Sequence, residues 1–341
     1  MSLSEKLTHT RCAYCDERDG RLIMRTGDPY LDRSNTFDVV ACGNCGLIRT
    51  RQLPAELSRW YKEHYSKALQ VSEHTQRATK TRSTYQLLDR LRITRMVRKL
   101  NLNHPAFIAS QIPPSGRILE IGCGSGEILR RLKAKGAEVF GVEPHPDSAE
   151  AARRHGVQVV CDKVESLENL GIVFDTVLFS FALEHTEEPL KALKFARHVL
   201  ADTGRLFVFT HNFNCLSRHI FGESWSGWHL PYHTYFFTEK SLRRMLVTAG
   251  YDVTSTRSYT RPDLLVESCR LLLARLYGTE VVTFARNTHL VSMLMFSLVT
   301  KPFGLAGRGN ALKMVATPRT TSRSQDHPAE AVRAFDSQHN A

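Results

Sequence analysis

The sequence predicts an α/β protein in which a doubly wound, mostly parallel sheet follows a small N-terminal zinc ribbon. From residue 117 onward, apolar runs typical of buried strands alternate with segments of helical periodicity, as in parallel βαβ units. The predicted elements include a helix at 149–155, a strand at 174–180, and a strand at 205–210 that follows a turn at 202–204. A glycine-rich turn at 122–126 joins the first of these strands to a helix. Two C-x2-C pairs lie within the first 50 residues, a spacing typical of zinc ribbons.

The composition is that of a basic globular protein. The chain has 341 residues, is 42% hydrophobic and carries a net charge of +12. No apolar run reaches the ~18–20 residues of a membrane span, and the first residues lack the apolar core of a signal peptide. We therefore expect a cytoplasmic protein with reduced cysteines. Its charge permits anionic partners such as nucleic acid, lipid headgroups or a phosphate-bearing substrate.

Four of the eight cysteines form the candidate metal site, in residues 1–50. They are Cys12, Cys15, Cys42 and Cys45. Four thiolates from two tight knuckles would close a tetrahedral zinc site, which is structural and not catalytic. Strands are expected at 21–25 and 37–41, between the pairs. Free thiols or two disulfides are the alternatives, and the module could bind nucleic acid or act as a folding staple.

Residues 51–104 are predicted to be a helical, basic connecting segment. Pro54 would begin a helix that has proline in its first turn. Between residues 77 and 99, basic side chains interleave with apolar ones, which indicates an amphipathic helix with a cationic face. A solvated helix face is favoured over a specific anion site.

The glycine-rich turn is the candidate binding site for a nucleoside. Its three glycines allow a sharp turn and a close ligand approach, and the next helix offers free N–H groups. These glycines are Gly122, Gly124 and Gly126. Glu143 ends the next strand about 20 residues on, where an acid can bind ribose hydroxyls. Glu120 would repel a pyrophosphate but could pair with a cationic methionine-like group. An NAD-type or non-binding turn is the alternative.

This stretch resembles motif I of class I S-adenosylmethionine (SAM) methyltransferases. Further landmarks at Phe174-Asp175, Leu183-Glu184-His185 and Ala249-Gly250-Tyr251 are similar to a bacterial group with an L-E-H motif, over about residues 95–260 plus the last strand. The resemblance implies a seven-stranded sheet and a role for Asp162 at the adenine amino group, with turn capping as the alternative. The cofactor-binding candidates are Glu120, Gly122, Gly124, Gly126, Glu143, Asp162 and Phe181. Similar proteins with a zinc ribbon methylate sugars and other small molecules.

Two histidines are the candidate catalytic bases. Methyl transfer is an in-line displacement that needs alignment and exclusion of water, and an oxygen acceptor can also need a base. His185 follows the fourth strand, and His233 lies in an aromatic loop at 225–237 that could wall an apolar pocket. His211 and His229 rank behind them. Each histidine is alternatively an orienting or structural group.

The rest of the chain completes the predicted domain organisation. Apolar helices at 264–277 and 290–299 must bury against the core, a second copy in a homodimer, or a lipid surface, which would place the protein at the membrane periphery. Core or dimer is favoured. The predicted domains are the ribbon (1–50), the connecting segment (51–104), the SAM-binding core (105–261), an apolar helical insertion (262–309), the last core strand (310–317) and a disordered tail (318–341).

The predicted function is methyl transfer from SAM to a small-molecule acceptor. The acceptor is a sugar, a saccharide or a lipid-linked precursor, methylated at oxygen or carbon. SAM and one structural Zn²⁺ are the expected cofactors. The alternative is an RNA-binding methyltransferase that uses the ribbon and the basic helix. The chain lacks an aromatic RNA-binding consensus, which argues against nucleic acid as a partner.

Overall fold

A computed structural model describes residues 7–9, 11–28, 36–54, 104–277, 304 and 306–319. The predicted helices beyond Pro54 and at 290–299, and the predicted tail from residue 320 on, lie outside these ranges. The chain forms two compact units. One comprises residues 1–103, 211–238 and 258–311, and the other comprises 104–210, 239–257 and 312–341.

A seven-stranded sheet organises the second unit, which confirms the predicted α/β class. Its strands in chain order are β6 (Arg117–Ile121), β7 (Glu138–Val142), β8 (Gln158–Val160), β9 (Phe174–Ser180), β10 (Leu200–His211), β12 (Tyr251–Tyr259) and β13 (Ala311–Pro318). Their order across the sheet is β12-β13-β10-β9-β6-β7-β8. The pairs from β10 to β8 are parallel. Parallel neighbours need a crossover connection, and a helix provides it between β6 and β7, between β7 and β8, and between β9 and β10.

Five described helices accompany these strands in the second unit: α1 (His104–Gln111), α2 (Glu127–Lys133), α3 (Pro146–Arg154), α4 (Pro189–Val199) and α6 (Glu239–Thr248). Helix α5 (Leu216–Phe221) belongs to the first unit. Helix α3 begins three residues before the predicted Ala149, because Pro146 occupies its first turn. Strand β10 begins at Leu200, before the predicted Arg205. The turn predicted at 202–204 is replaced by a register shift of β10 against β9 between Leu200 and Arg205.

The first unit is built on a four-stranded antiparallel sheet in the order β11-β4-β3-β2. Its strands are β2 (Gly20–Gly27), β3 (Thr36–Cys42), β4 (Ile48–Thr50) and β11 (Tyr235–Phe236). The predicted strands at 21–25 and 37–41 are therefore present and slightly longer. A two-stranded sheet pairs β1 (Leu7–His9) with β5 (Gln52–Pro54), so the prediction that Pro54 begins a helix is wrong. Helix α7 (Pro262–Tyr277) belongs to this unit and matches the predicted helix at 264–277.

The aromatic loop supplies much of the apolar core of the first unit. Trp225 and Trp228 are fully buried in a cluster with ribbon-strand residues such as Phe37 and Ile48. The indole N–H of Trp228 donates to the Gly222 carbonyl over 2.8 Å. The loop therefore contributes to a folded core and supplies an edge strand, and its role as the wall of a pocket stays a prediction.

Two further observations bear on the predicted organisation. Residues 211–238 cluster with the N-terminal residues, and the sequence-based domain boundaries stay a prediction. Residues 318 and 319, which the prediction assigned to the tail, are placed in the structure, where the Arg319 amide donates to the Gly250 carbonyl over 2.9 Å and its guanidinium lies 3.1 Å from Asp252. Within the described ranges, no helix combines the length and the apolar character needed to cross a bilayer.

Candidate functional site

The glycine turn follows β6 and ends at the start of α2. Gly122, Gly124 and Gly126 all have positive φ angles, of 75°, 54° and 75°, which residues with a Cβ adopt only at a cost. A Cβ on Gly122 would lie 2.5 Å from the Ala182 methyl, and one on Gly126 would lie 2.9 Å from the Ala152 methyl. A Cβ on Gly124 would meet nothing within 4 Å. Two of the glycines therefore allow close packing, and the middle one borders open space.

The Glu143 carboxylate lies at the end of β7 and is held in place by backbone donors. Its Oε2 accepts the Gly124 amide over 2.9 Å, and its Oε1 accepts the His145 amide over 3.0 Å. The side chain is buried. Glu143 thus links the strand end to the middle of the glycine turn, as expected for an acid next to a nucleoside ribose.

Glu120 is the buried acid of the site. It is 2% exposed, and its Oε2 has no hydrogen-bond partner among the described residues. The pKa of Glu120 is raised well above the ordinary value of 4.5, first because burial disfavours the carboxylate and second because Glu143 is negatively charged. A buried acceptor of this kind calls for a donor, and a cationic amine would satisfy it and lower its pKa.

The turn after β9 packs against the glycine turn. Phe181 has a φ of +53°, an outlier for a bulky residue and a kind of strain that clusters at functional sites. Its amide donates to the Phe209 carbonyl over 2.8 Å. The next residue is Ala182, whose methyl group faces Gly122. The short 3₁₀ turn Leu183–His185 follows, with its Glu184 buried and His185 half-buried.

Asp162 is the candidate that has no described contact with the glycine turn. It is exposed, and its Oδ1 accepts the adjacent Lys163 amide over 2.7 Å. It follows β8, whose last residue Val160 accepts the Glu143 amide over 3.0 Å. The local contact is the one that turn capping requires.

Three histidines lie together in the first unit. The His233 ring centroid is 4.9 Å from that of His211 and 5.2 Å from that of His229. His233 is buried, and its Nδ1 lies 2.8 Å from the Gly227 carbonyl oxygen. A carbonyl only accepts, so Nδ1 carries the hydrogen and Nε2 is the basic nitrogen of the neutral ring. The other candidate base, His185, lies in the second unit.

The four predicted cysteine ligands converge in the first unit. Sulfur atoms of Cys12 and Cys45, and of Cys15 and Cys42, are 3.5 Å apart, and all four lie within 4.8 Å of one another. None forms a disulfide. A tetrahedral site with Zn–S bonds of about 2.3 Å places its sulfurs about 3.8 Å apart, so the cluster has suitable dimensions.

The metal-free cysteines differ in how readily they ionise: burial raises the pKa of Cys12 and Cys45, whereas the pKa of Cys42 is lowered. Burial acts to raise the pKa of Cys42, but the backbone N–H groups of Cys45 and Asn44 outweigh it and lower the pKa to about 7. The Cys45 amide lies 3.5 Å from the Cys42 sulfur. Gly46, with a φ of +71°, closes the knuckle by donating to the Cys42 carbonyl over 2.9 Å. Thiolates are the form of cysteine that binds metals.

Sequence reasoning missed the residues that support the site through the backbone or a methyl group. His145 holds Glu143 through its amide, and Ala182 packs on Gly122 through one methyl. Neither contact depends on a chemically distinctive side chain. The only available signal was position, because both residues directly follow the ends of strands.

Comparisons with known proteins find similarity to methyltransferases. Residues 90–256 match the family model of a methyltransferase domain. The ubiquinone biosynthesis O-methyltransferase of Xylella fastidiosa strain 9a5c is 32% identical over 114 residues, covering 31% of this chain and 46% of that protein. The enzyme of the same name from Cereibacter sphaeroides strain ATCC 17029 is 31% identical over 158 residues, covering 42% of this chain and 64% of that protein. The chain thus spans about half to just under two thirds of the length of these relatives.

Solved structures that are similar to this chain include a SAM-dependent methyltransferase from Thermotoga maritima, with 20% sequence identity and a TM-score of 0.44. The match covers 68% of this chain and 96% of that one.

Proposed function

We propose that this chain, whose residues 90–256 match the family model of a methyltransferase domain, is a class I SAM-dependent enzyme that transfers a methyl group from SAM to an oxygen atom of a small molecule. The observation that carries the proposal is the pair of buried acids, Glu120 and Glu143, beside a glycine turn that is open at Gly124. The relatives, which match over part of their length, are named ubiquinone biosynthesis O-methyltransferases. Their name supports oxygen as the methylated atom.

The acids and the turn suit the donor. When bound, SAM supplies an electrophilic methyl group on a sulfonium. Glu120 is buried with an acceptor oxygen that needs a donor, so it would hold the cationic amino-acid part. Glu143 would accept from the ribose hydroxyls, because each carboxylate oxygen has a second lone pair beyond its amide contact. Phe181 and Asp162 would flank the remaining part of the nucleoside.

His233 is proposed as the general base, with His185 as the second candidate. The Gly227 carbonyl oxygen lies 2.8 Å from His233 Nδ1, which favours the tautomer with a basic Nε2, as a general base requires. Burial of its ring limits access of water to that nitrogen. A base of this kind contributes roughly 10²–10⁴-fold to a rate.

The cysteine cluster is proposed to hold one structural Zn²⁺. Cys12, Cys15, Cys42 and Cys45 would supply four thiolates and leave no open position for catalysis. Elemental analysis of the purified protein should give one zinc per chain. Cys42→Ser should lose that zinc, whereas Cys161→Ser, which changes an exposed cysteine outside the cluster, should retain it. Equal metal content in both variants would contradict the assignment.

The acceptor class rests on the sequence and on the relatives' names. A sugar, a saccharide or a lipid-linked precursor remains the predicted acceptor, and the named relatives point to small molecules and not to RNA. The homodimer and the peripheral membrane contact through 262–309 also stay predictions. Helix α7 ends with two exposed apolar side chains, Leu276 at 61% and Tyr277 at 68% exposure.

Calorimetry with SAM tests the donor site. Wild type should release heat on binding, and Glu143→Ala should bind far more weakly because it loses the ribose acceptor and frees the Gly124 amide. Glu138→Ala, an exposed acid on the same strand that pairs with Arg117, is the matched control and should bind like wild type. Binding by Glu143→Ala at wild-type strength would refute the site.

The acceptor can then be sought directly. A metabolite extract incubated with the enzyme and methyl-labelled SAM should yield a product shifted in mass by one labelled methyl group. Cleavage of that product with hydriodic acid distinguishes the two kinds of product, because it releases the label as methyl iodide from an O-methyl ether and leaves a C-methyl group in place. Labelled RNA without a labelled small molecule would overturn the proposed acceptor class.

A further inference from the structure

Arg49 is a buried cation in the first unit that the reaction does not use. It lies on β4 and is 0% exposed. Its Nη2 donates to the Glu17 carbonyl over 3.2 Å and to the Arg18 carbonyl over 2.8 Å. Its Nε and Nη1 have no hydrogen-bond partner, and no carboxylate of the described residues forms an ion pair with it. A buried guanidinium without a counter-charge is costly.

The hydrogen bonds of Arg49 connect the two cysteine knuckles. The Glu17 carbonyl that accepts from Arg49 also accepts the amide of Cys12 over 2.9 Å. On the other side, the Cys42 amide donates to the Leu47 carbonyl over 2.9 Å, two residues before Arg49. The side chain therefore ties the strand that leaves the second knuckle to the backbone that follows the first.

Arg49 also lies on the same face of the sheet as a metal-ligand candidate. Its Cα partner on β3 is Val40. Paired residues of neighbouring strands share a face, and so do residues two apart along a strand. Cys42 follows Val40 by two residues, so Arg49 and Cys42 belong to one face. Ile48, on the opposite face, packs into the aromatic cluster.

We propose that Arg49 is a positioning residue of the zinc centre. Four thiolates around Zn²⁺ carry a net charge of −2, and the buried guanidinium offsets part of it while its hydrogen bonds hold the two knuckles at the ligating distance. This inference rests on the proposed zinc site. It explains why a full positive charge is buried where the described residues offer it only carbonyl oxygens.

The test compares Arg49→Met with Arg21→Met in the full chain. Arg21 is exposed on β2, which β3 separates from β4 in the sheet, so the control removes the same charge from the same sheet. Zinc affinity is measured by competition with a chromophoric chelator. Arg49→Met should bind zinc about 10–100-fold more weakly, the usual effect of losing a group that supports metal ligands. Arg21→Met should stay within about twofold of wild type, since exposed charges contribute little.

A second readout separates this role from a purely structural one. The rise in Tm on adding zinc to the metal-free protein should be smaller in Arg49→Met than in wild type. In the zinc-bound form the Arg49 charge is favourable, because it lies near the negative zinc–thiolate centre, so its removal lowers the Tm. In the metal-free form the same buried charge has no counter-charge, so its removal lowers the Tm less. A residue that only stabilised the fold would lower both Tm values equally and leave the difference unchanged.

The outcomes distinguish the two proposals. If wild type binds no zinc, the zinc site and this inference fall together. If wild type binds zinc and Arg49→Met matches Arg21→Met in affinity and in the zinc-dependent Tm rise, the inference alone is overturned. Should Arg49→Met not fold, Arg49→Lys is compared with Arg21→Lys. Faster zinc release from Arg49→Lys is expected, because lysine ends one bond short of Nη2, and equal release rates would refute the role.

Discussion

Two alanine substitutions in the glycine turn separate packing from ligand binding. Gly122→Ala and Gly124→Ala make the same chemical change two residues apart, and both positions have a positive φ. An alanine in this region costs about 1–2 kcal/mol of unfolding free energy. At Gly122 the new methyl would also lie 2.5 Å from the Ala182 methyl, and such overpacking typically costs about 1–3 kcal/mol more.

We therefore expect Gly122→Ala to destabilise the protein by about 2–5 kcal/mol. Gly124→Ala should cost only about 1–2 kcal/mol, because nothing lies within 4 Å of its new methyl. The two substitutions should rank in the opposite order by their effect on SAM binding. Gly124→Ala should lose much of its SAM affinity while remaining folded, since its methyl would enter the space proposed for the ligand.

Urea denaturation followed by circular dichroism measures the first effect, and calorimetry with SAM measures the second. Two results would refute the reasoning. One is equal destabilisation by the two substitutions, which would mean that the Gly122–Ala182 contact is not tight. The other is wild-type SAM affinity in Gly124→Ala, which would mean that the open space is not the donor site.

Three further substitutions test separate parts of the structure. Glu120→Gln should stabilise the SAM-free protein at pH 8 and have no effect below pH 4.5. A raised pKa in the folded state means that wild type loses stability as pH rises above the ordinary value of 4.5, and urea denaturation at both pH values checks this. Trp228→Ala should lower the free energy of unfolding by about 3–5 kcal/mol in the same assay, because the indole is fully buried and hydrogen-bonded to the Gly222 carbonyl. A loss under 1 kcal/mol would contradict its place in the core. His233→Gln should lower kcat by about 10²–10⁴-fold with SAM affinity unchanged, whereas the exposed His198→Gln should match wild type in steady-state rates.

The features that the sequence predicts well are those set by local periodicity. The strand before the glycine turn, the turn itself and the acid after β7 were all predicted from short apolar runs and glycine spacing, and the structure contains each of them. Strand β9 matches its predicted range of 174–180. Such runs are diagnostic because a parallel strand is buried on both faces.

The features that were missed depend on contacts between distant residues. Strand β11 pairs with β4, although nearly the whole methyltransferase core lies between them in the sequence. No local sequence pattern predicts a partner that far away. A buried arginine such as Arg49 has the same sequence signature as an exposed one. Pro54 has a plausible place in a helix, but pairing with β1 decides its conformation. Tertiary contacts overrode the local preference.

The pairing of β11 with β4 has a consequence for how the chain acquires its metal module. Ribosomal synthesis delivers Ile48 and Arg49 long before Tyr235 and Phe236, their partners in the sheet. Until the later strand emerges, the cysteine-bearing sheet has an unpaired edge and Phe37 and Ile48 lack the tryptophans that cover them. A shortened protein that begins at residue 104 would have the opposite defect, with two indoles exposed to water. The amino-terminal module and the aromatic loop must therefore be expressed together, and an evolutionary loss of one would select for loss of the other.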